Sequence, residues 1–496
     1  MMSWKQAILA SALSAIMLAP AAFAQSAPAA NPYGEEAIEF TAQSGDSVAA
    51  FHGTVRVPEN RANPASRMIE VSYVRFAATG ENPGSPIVYL SGGPGGSGSG
   101  TARGPRFPLF QAMRQHGDVI AFDQRGTGDS TELPRCVSSQ AVSETEAVSD
   151  SEYAAAYSRA VEECGVFWRG QGVDIAGYTT RESVQDLAAL RQHFGAEQIS
   201  LWGISYGSHL ALAALKDIPD QLDRVIIASA EGLDQTVKLP AETDRYFARL
   251  QAAIDSQPAA RALYPDVAGL MRRVHARIEA EPMLVQVPQA DGETLPFLLQ
   301  RHNLQEFSSG LIADPQYAAL LLMLYSQLDA GEGDLAVMLL QRFWTMGEPI
   351  TLSAMTTAMD LASGISDDRL AAFERQAETG LIGGYLNFPM PQIRGAWDGF
   401  DLGEEFRQPP HGDTPVLLLT GTLDGRTYPD SQAASVAGLS HVQRIIVRNA
   451  GHNLFMTTPL VGDAMHRFMR GEALVSSEII VDLPDMTANP LGGQGE

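Results

Sequence analysis

Leu201-Trp202-Gly203-Ile204-Ser205-Tyr206-Gly207-Ser208 places a serine at the centre of a Gly-x-Ser-x-Gly pattern. An apolar, strand-like run (Ile199, Leu201, Trp202) precedes it, and an Ala- and Leu-rich run with helical character (His209 to Lys216) follows. A serine on a sharp strand-to-helix turn holds strained backbone angles, so small residues must flank it. Such a turn lifts the hydroxyl clear of a sheet and aims the first helical N–H groups at whatever the serine attacks.

The same alternation of strand and helix continues on both sides. Residues from Ile38 to Phe76 alternate in strand fashion and predict antiparallel opening strands. Pro86-Ile87-Val88-Tyr89-Leu90 is a buried-strand run ending in Ser91-Gly92-Gly93-Pro94-Gly95-Gly96, and Asp118-Val119-Ile120-Ala121-Phe122 is another, ending in Asp123-Gln124-Arg125-Gly126-Thr127-Gly128. A helix is expected over Thr180 to Phe194, and strands over Leu222 to Ala228, Val416 to Thr420 and Arg444 to Val447. A last helix is expected over Thr458 to Phe468. This spacing predicts an α/β fold: a mostly parallel, doubly wound sheet with right-handed crossovers.

The pattern breaks from about Leu233 to Arg407, where helical segments dominate. This is expected to be a helical cap inserted in the sheet domain. The division expected is a signal peptide at 1–24, the first part of the core at 25–232, the cap at 233–408 and the second part of the core at 409–496.

Residues 1–24 combine the positive Lys5, a short apolar run from Ala7 to Leu18, and the small-x-small site Ala22-Phe23-Ala24. They predict cleavage after Ala24 and export, to the periplasm or the medium. No lipid-accepting cysteine or membrane span is expected. The net charge of −24 argues against nucleic acid and anionic membranes as partners. Hydrophobic content of 45% and charged content of 19% are globular values. The two cysteines, Cys136 and Cys164, lie in the exported part. A disulfide between them would contribute ~3 kcal/mol in the chain-entropy model, and two buried thiols are the alternative. Neither has a metal-ligand or redox spacing.

A serine nucleophile needs a base, a group that orients the base, and an oxyanion hole. On a doubly wound sheet these sit beyond the C-terminal strand ends. There the sequence offers Asp424, in Gly421-Thr422-Leu423-Asp424-Gly425-Arg426-Thr427, and His452, in Asn449-Ala450-Gly451-His452-Asn453. The chain order Ser205, Asp424, His452 is that of the α/β-hydrolases. The oxyanion donors expected are the N–H of Tyr206 and that of Gly93. His411 and His441 precede their strands and so fall at the wrong end of the sheet. Asp430 lies further from its strand end than Asp424, and His209 suits packing. No metal or organic cofactor is implied.

Gly92-Gly93-Pro94-Gly95-Gly96, Asp123-Gln124-Arg125-Gly126-Thr127-Gly128-Asp129-Ser130 and Gly203-Ile204-Ser205-Tyr206-Gly207-Ser208 resemble the proline iminopeptidase and tripeptidyl aminopeptidase family of α/β-hydrolase serine peptidases. Tyr178-Thr179-Thr180 with Asp186-Leu187, and the segment around Asp424, carry the resemblance further. Ser91 departs from it, because proline iminopeptidases usually have His before this glycine run. The departure shifts weight towards tripeptidyl aminopeptidases. The resemblance implies an α/β-hydrolase fold and hydrolysis at a substrate N-terminus, with the free amine held by carboxylates near the cap. Glu231, Asp360 and Glu404 are the candidates. Asp123 and Arg125 are expected to be structural. The leading expectation is an exported serine aminopeptidase releasing Pro or short N-terminal peptides through an acyl-enzyme. The alternatives are a carboxylesterase-type hydrolase on the same machinery, acting on small esters, and a catalytically inert hydrolase fold used for binding.

Overall fold

The structure, a computed structural model, describes residues 32–489. The expected leader at 1–24 lies outside the described residues.

Ten strands form one sheet. Their spatial order is Glu36–Thr41, Ser47–Pro58, Met68–Phe76, Val119–Phe122, Ile87–Leu90, Ile199–Ile204, Leu222–Ala228, Val416–Gly421, Val442–Arg448 and Glu478–Ile480. The first three strands pair antiparallel, and Met68–Phe76 is also antiparallel to Val119–Phe122. Every later pairing is parallel. The central strands are continuous apolar runs because both faces are covered.

The period of two sorts each strand between two cores. Val88, Leu90, Leu201, Val225, Ile227, Val416 and Leu418 pack under the helices Thr180–His193 and Tyr206–Asp217. Their alternates Ile87, Tyr89, Trp202, Ile226, Ala228, Leu417 and Leu419 pack under Gly98–Arg103, Phe107–Met113 and Pro459–Met469. Burying both rows is what holds the parallel strands in register.

Between Leu222–Ala228 and Val416–Gly421 the chain is mainly helical. Helices Pro240–Asp255, Val267–Ala280, Arg301–Leu311, Pro315–Ala330 and Asp334–Phe343 enclose a separate apolar core. Several elements here are not marked by the sequence pattern. Met283–Pro288 and Thr294–Leu299 form an antiparallel hairpin. Ala354–Ser363 is a helix that packs Met355 and Met359 onto Tyr206. Thr351–Leu352 pairs with Cys136–Val137, outside the main sheet.

The long helix Asp150–Gly170 also joins this region. It starts at a capping box, with Ser149 accepting from the Glu152 amide and Glu152 accepting from that of Ser149. Its far end carries Cys164, joined in a disulfide to Cys136 with their Cα atoms 5.6 Å apart. Its Trp168 meets Trp397 edge-on, and Trp397 Nε1 donates to the Val161 carbonyl.

Candidate active site

Ser205 stands between the strand Ile199–Ile204 and the helix Tyr206–Asp217 with φ 54° and ψ −129°. That is a strained conformation for a residue with a side chain. Its surroundings explain how it is held. A Cβ on Gly203 would come within 2.6 Å of the Gly207 carbonyl oxygen, and one on Gly207 would collide with that of Leu90. Only glycine fits at either position, so the two pattern glycines permit the close crossing that makes the turn. The Ser205 amide donates to the Ala228 carbonyl at 3.2 Å.

Asp424 lies past the end of Val416–Gly421 and is fully buried. Oδ1 accepts from the amides of Arg426 and Thr427, both at 2.8 Å, and Oδ2 accepts from the Thr427 hydroxyl at 2.7 Å. His452 Nδ1 lies 3.0 Å from Oδ2 and 3.1 Å from Oδ1. Burial pushes the Asp424 carboxyl up, but the His452 ring and the Thr427 hydrogen bonds outweigh it and hold the group below the usual aspartate value. The acid is therefore ionised and ready to stabilise an imidazolium. The His452 loop is pinned through its backbone: its amide donates to Ala313, and its carbonyl accepts from the Ser229 hydroxyl at 2.7 Å. Ser205, Ser229 and Asn449 are the described non-glycine residues with positive φ, and each follows the end of a sheet strand.

The rival groups lie elsewhere. His441 precedes Val442–Arg448, and a Cβ on Gly438 beside it would meet the His411 ring, which places both histidines at the opposite end of the sheet. Asp430 is exposed. His209 is buried, with Nδ1 3.2 Å from the Gly232 carbonyl and Nε2 3.1 Å from the Ser363 hydroxyl.

The glycine loop after Ile87–Leu90 lies against the serine. A Cβ on Gly92 would come within 3.1 Å of Ser205 Cβ and 3.7 Å of Oγ. Gly93 follows with φ +123°, and Thr356 of the overlying helix donates its hydroxyl to the Pro94 carbonyl at 3.1 Å. Asp123 and Arg125 hold neighbouring loops. Asp123 accepts from the hydroxyls of Ser97 and Ser99 and from the amides of Ser99 and Asp129. Arg125 is fully buried and pairs with both oxygens of Asp186 at 2.7 Å.

The three cap-side carboxylates separate. Glu404 is an exposed partner of Arg407. Glu231 is buried and ion-paired with Lys238, a partner that the sequence pattern did not reveal although Lys238 is one of only three lysines in the chain. Asp360 keeps accessible surface within an enclosed space, and its carboxylate makes no hydrogen bond among the described residues. Burial, then the nearby Glu231 charge, push it up to about 7 against the pull of Lys238. Both Asp360 and Glu231 exert their charge on Tyr206, next to Ser205.

A cavity of about 1470 Å³ opens among these cap elements, with Tyr153, Tyr157, Glu306, Ser309 and Thr351 in its wall. Its wall connects directly to the Asp424 and His452 loops. Arg426 donates to the Ser309 carbonyl while its amide holds Asp424, and Ala313, just past the same helix, holds His452. Among the described residues no helix is long and apolar enough to cross a membrane.

The α/β hydrolase fold family matches residues 85–276. The chain is 27% identical to the serine protease Hip1 of Mycobacterium tuberculosis over 187 residues, 36% of each protein. It is 28% identical to a tripeptidyl aminopeptidase of Streptomyces lividans over 199 residues, 36% of this chain and 34% of that one. The matched stretch thus spans about a third of the length of these relatives. Among solved structures, the proline iminopeptidase of Mycobacterium smegmatis aligns over 84% of this chain and 98% of its own, at 16% identity and a TM-score of 0.40. The fold of this chain is that of the α/β hydrolases, and the sequence relatives of its core include serine peptidases and aminopeptidases.

Proposed function

We propose that the chain is an exported serine aminopeptidase that releases short N-terminal peptides or single residues through an acyl-enzyme. The observation that supports the catalytic part is the Asp424–His452 pair, whose loop Ser229 ties to the same strand end that holds the strained Ser205 turn. In this reading Ser205 Oγ bonds to the substrate carbonyl carbon while His452 takes its proton. The C–N bond then breaks, and the proton passes from His452 to the leaving amine. Water repeats the sequence on the ester, freeing Ser205. Asp424 fixes the imidazole tautomer and stabilises its charged form. The amides of Tyr206 and of Gly93 receive the oxyanion, and the adjoining Gly92 leaves room for the substrate carbonyl beside Ser205.

The preference for a free N-terminus rests on Asp360. An enclosed carboxylate without a hydrogen-bond partner, beside the residue that follows the nucleophile, is suited to an ammonium group. The substrate would supply the missing partner. Glu231 is already neutralised by Lys238 and shapes the field at Asp360 rather than binding the amine itself. Glu404 lies at the surface and has no part in this reading. Export is supported by the leader pattern at 1–24 and by the disulfide.

The test is a panel of aminoacyl and tripeptidyl amides with free and acetylated N-termini, run beside simple acyl esters. The proposal expects cleavage of the free amides and its loss on acetylation. Equal cleavage of the acetylated series, or turnover of esters alone, would contradict it.

A further inference from the structure

The cap cavity has an acidic residue of its own, away from Asp360. Glu306 is the single acidic residue of the helix Arg301–Leu311 and lines the cavity. Its Oε1 is buried and, like the Tyr153 hydroxyl beside it, makes no hydrogen bond of good geometry, and burial pushes its carboxyl up to about 7 against the pull of that hydroxyl. Two unsatisfied polar groups, meeting on the wall of a cavity of about 1470 Å³, mark a place where a ligand group is missing.

The walls specify that group. Tyr153 lies at the centre of an aromatic cluster, with ring centroids 5.3 Å from Tyr157, 4.9 Å from Phe388 and 4.5 Å from His302. His302 and Phe388 cover the two faces of Tyr153, so the Tyr157 ring and the Tyr153 hydroxyl edge are what a desolvated organic cation would meet beside the carboxyl. No fixed cation competes for the position. Burial holds His302 down to about 4, so it is neutral at pH 7. Two of the other charged wall residues, Arg135 and Arg342, are matched in number by Glu144 and Glu348, which leaves Glu306 as the unmatched acid, one that an arriving cation would hold ionised.

Resting on the peptidase reading above, we propose that Glu306, with the Tyr153 and Tyr157 rings, forms a cation subsite for the ammonium or guanidinium group of a lysine or arginine side chain in the peptide substrate. The aliphatic stem of such a side chain would lie along the apolar wall, which includes Phe307 and Leu311. The unpaired Glu306 then acquires the partner that the free protein lacks. An N-terminal ammonium has the same chemistry, and the test separates the two sources.

The test uses the full chain with Ser205→Ala to prevent turnover, and calorimetric titration with tetra-alanine peptides. Lysine or its uncharged isostere norleucine occupies each of the first three positions in turn, with the N-terminus free or acetylated. The proposal expects lysine to improve Kd by roughly tenfold over norleucine at one position, in the free and the acetylated series alike. Adding Glu306→Gln should remove that advantage while the norleucine peptides keep their Kd within about twofold. If the Glu306-dependent gain instead follows the free terminus and ignores lysine, the subsite holds the chain end and the side-chain assignment is overturned. Absence of any Glu306-dependent difference, or of any binding, overturns the proposal altogether. Hydrolysis by the Ser205 protein is measured in parallel. Failure to cleave with Glu306-dependent lysine binding intact removes the peptidase reading and leaves the cation subsite standing.

Discussion

Ser229 donates its hydroxyl hydrogen to the backbone carbonyl of His452 at 2.7 Å, while the carbonyl next to it in the chain, that of Ala228, accepts from the Ser205 amide. One strand end thus holds both the Ser205 turn and the His452 loop. Replacing Ser229 by Gly keeps its positive φ accessible but leaves the His452 carbonyl short of a partner. The expected result is a fall in kcat of about tenfold with little change in KM, and a stability loss of about 1–3 kcal/mol. A change confined to KM would contradict a positioning role.

Asp424→Asn should keep the loop folded, because the amide oxygen can still accept from Arg426 and Thr427. Its –NH2 group, however, faces an imidazole nitrogen that must carry a hydrogen for catalysis. The expected loss is about 10³- to 10⁴-fold in kcat with near-wild-type circular dichroism. Steady-state kinetics on the cleaved amide reads it. Activity within tenfold of wild type would remove Asp424 from the mechanism.

Arg125 and Asp186 form a fully buried pair, and removing Arg125 leaves the buried Asp186 with Arg61 alone, a more exposed partner at 2.8 Å. Arg125→Ala should lose about 3–5 kcal/mol in urea unfolding, more than surface changes of the same size. The Arg125 guanidinium also donates to the carbonyls of Glu59 and Gly177, so Arg125→Lys should restore only part of the loss.

Asp360 supplies a pH dependence. Its folded value of about 7 stands above that of an unfolded aspartate, about 4. The folded chain therefore holds this proton more tightly. The stability tied to that proton is fully present below pH 4 and is lost as pH rises through 7. Asp360→Asn has no proton to lose. Its stability relative to wild type should rise between pH 4 and pH 8, by on the order of 1–4 kcal/mol. Thermal or urea unfolding at the two pH values measures the gap, and a gap that narrows with pH would contradict the assignment. The same variant should raise KM for free-amine substrates and leave that for acetylated ones unchanged.

The central strands are legible in the sequence because burial on both faces makes them short apolar runs. Gly203 and Gly207 announce the turn because nothing larger fits there. Other elements leave weaker marks. Glu478–Ile480 pairs along one side only and presents little apolar pattern. Asp150–Gly170 is rich in Ala and charge, and its best signal is the capping box Ser149-Asp150-Ser151-Glu152. The Glu231–Lys238 pair and the Glu306 wall depend on how helices separated in sequence come together. A local pattern carries no record of that. Glu306 did leave one trace, as the lone acid of a helix that is otherwise largely buried.

In the proposed mechanism Ser205 is a nucleophile activated by His452. Intact-protein mass spectrometry after exposure to a fluorophosphonate, followed by peptide mapping, tests it most directly. One covalent adduct is expected, on Ser205, formed at least about 100-fold more slowly in His452→Ala and absent in Ser205→Ala. An adduct on another residue, or labelling of Ser205 at the same rate without His452, would contradict it.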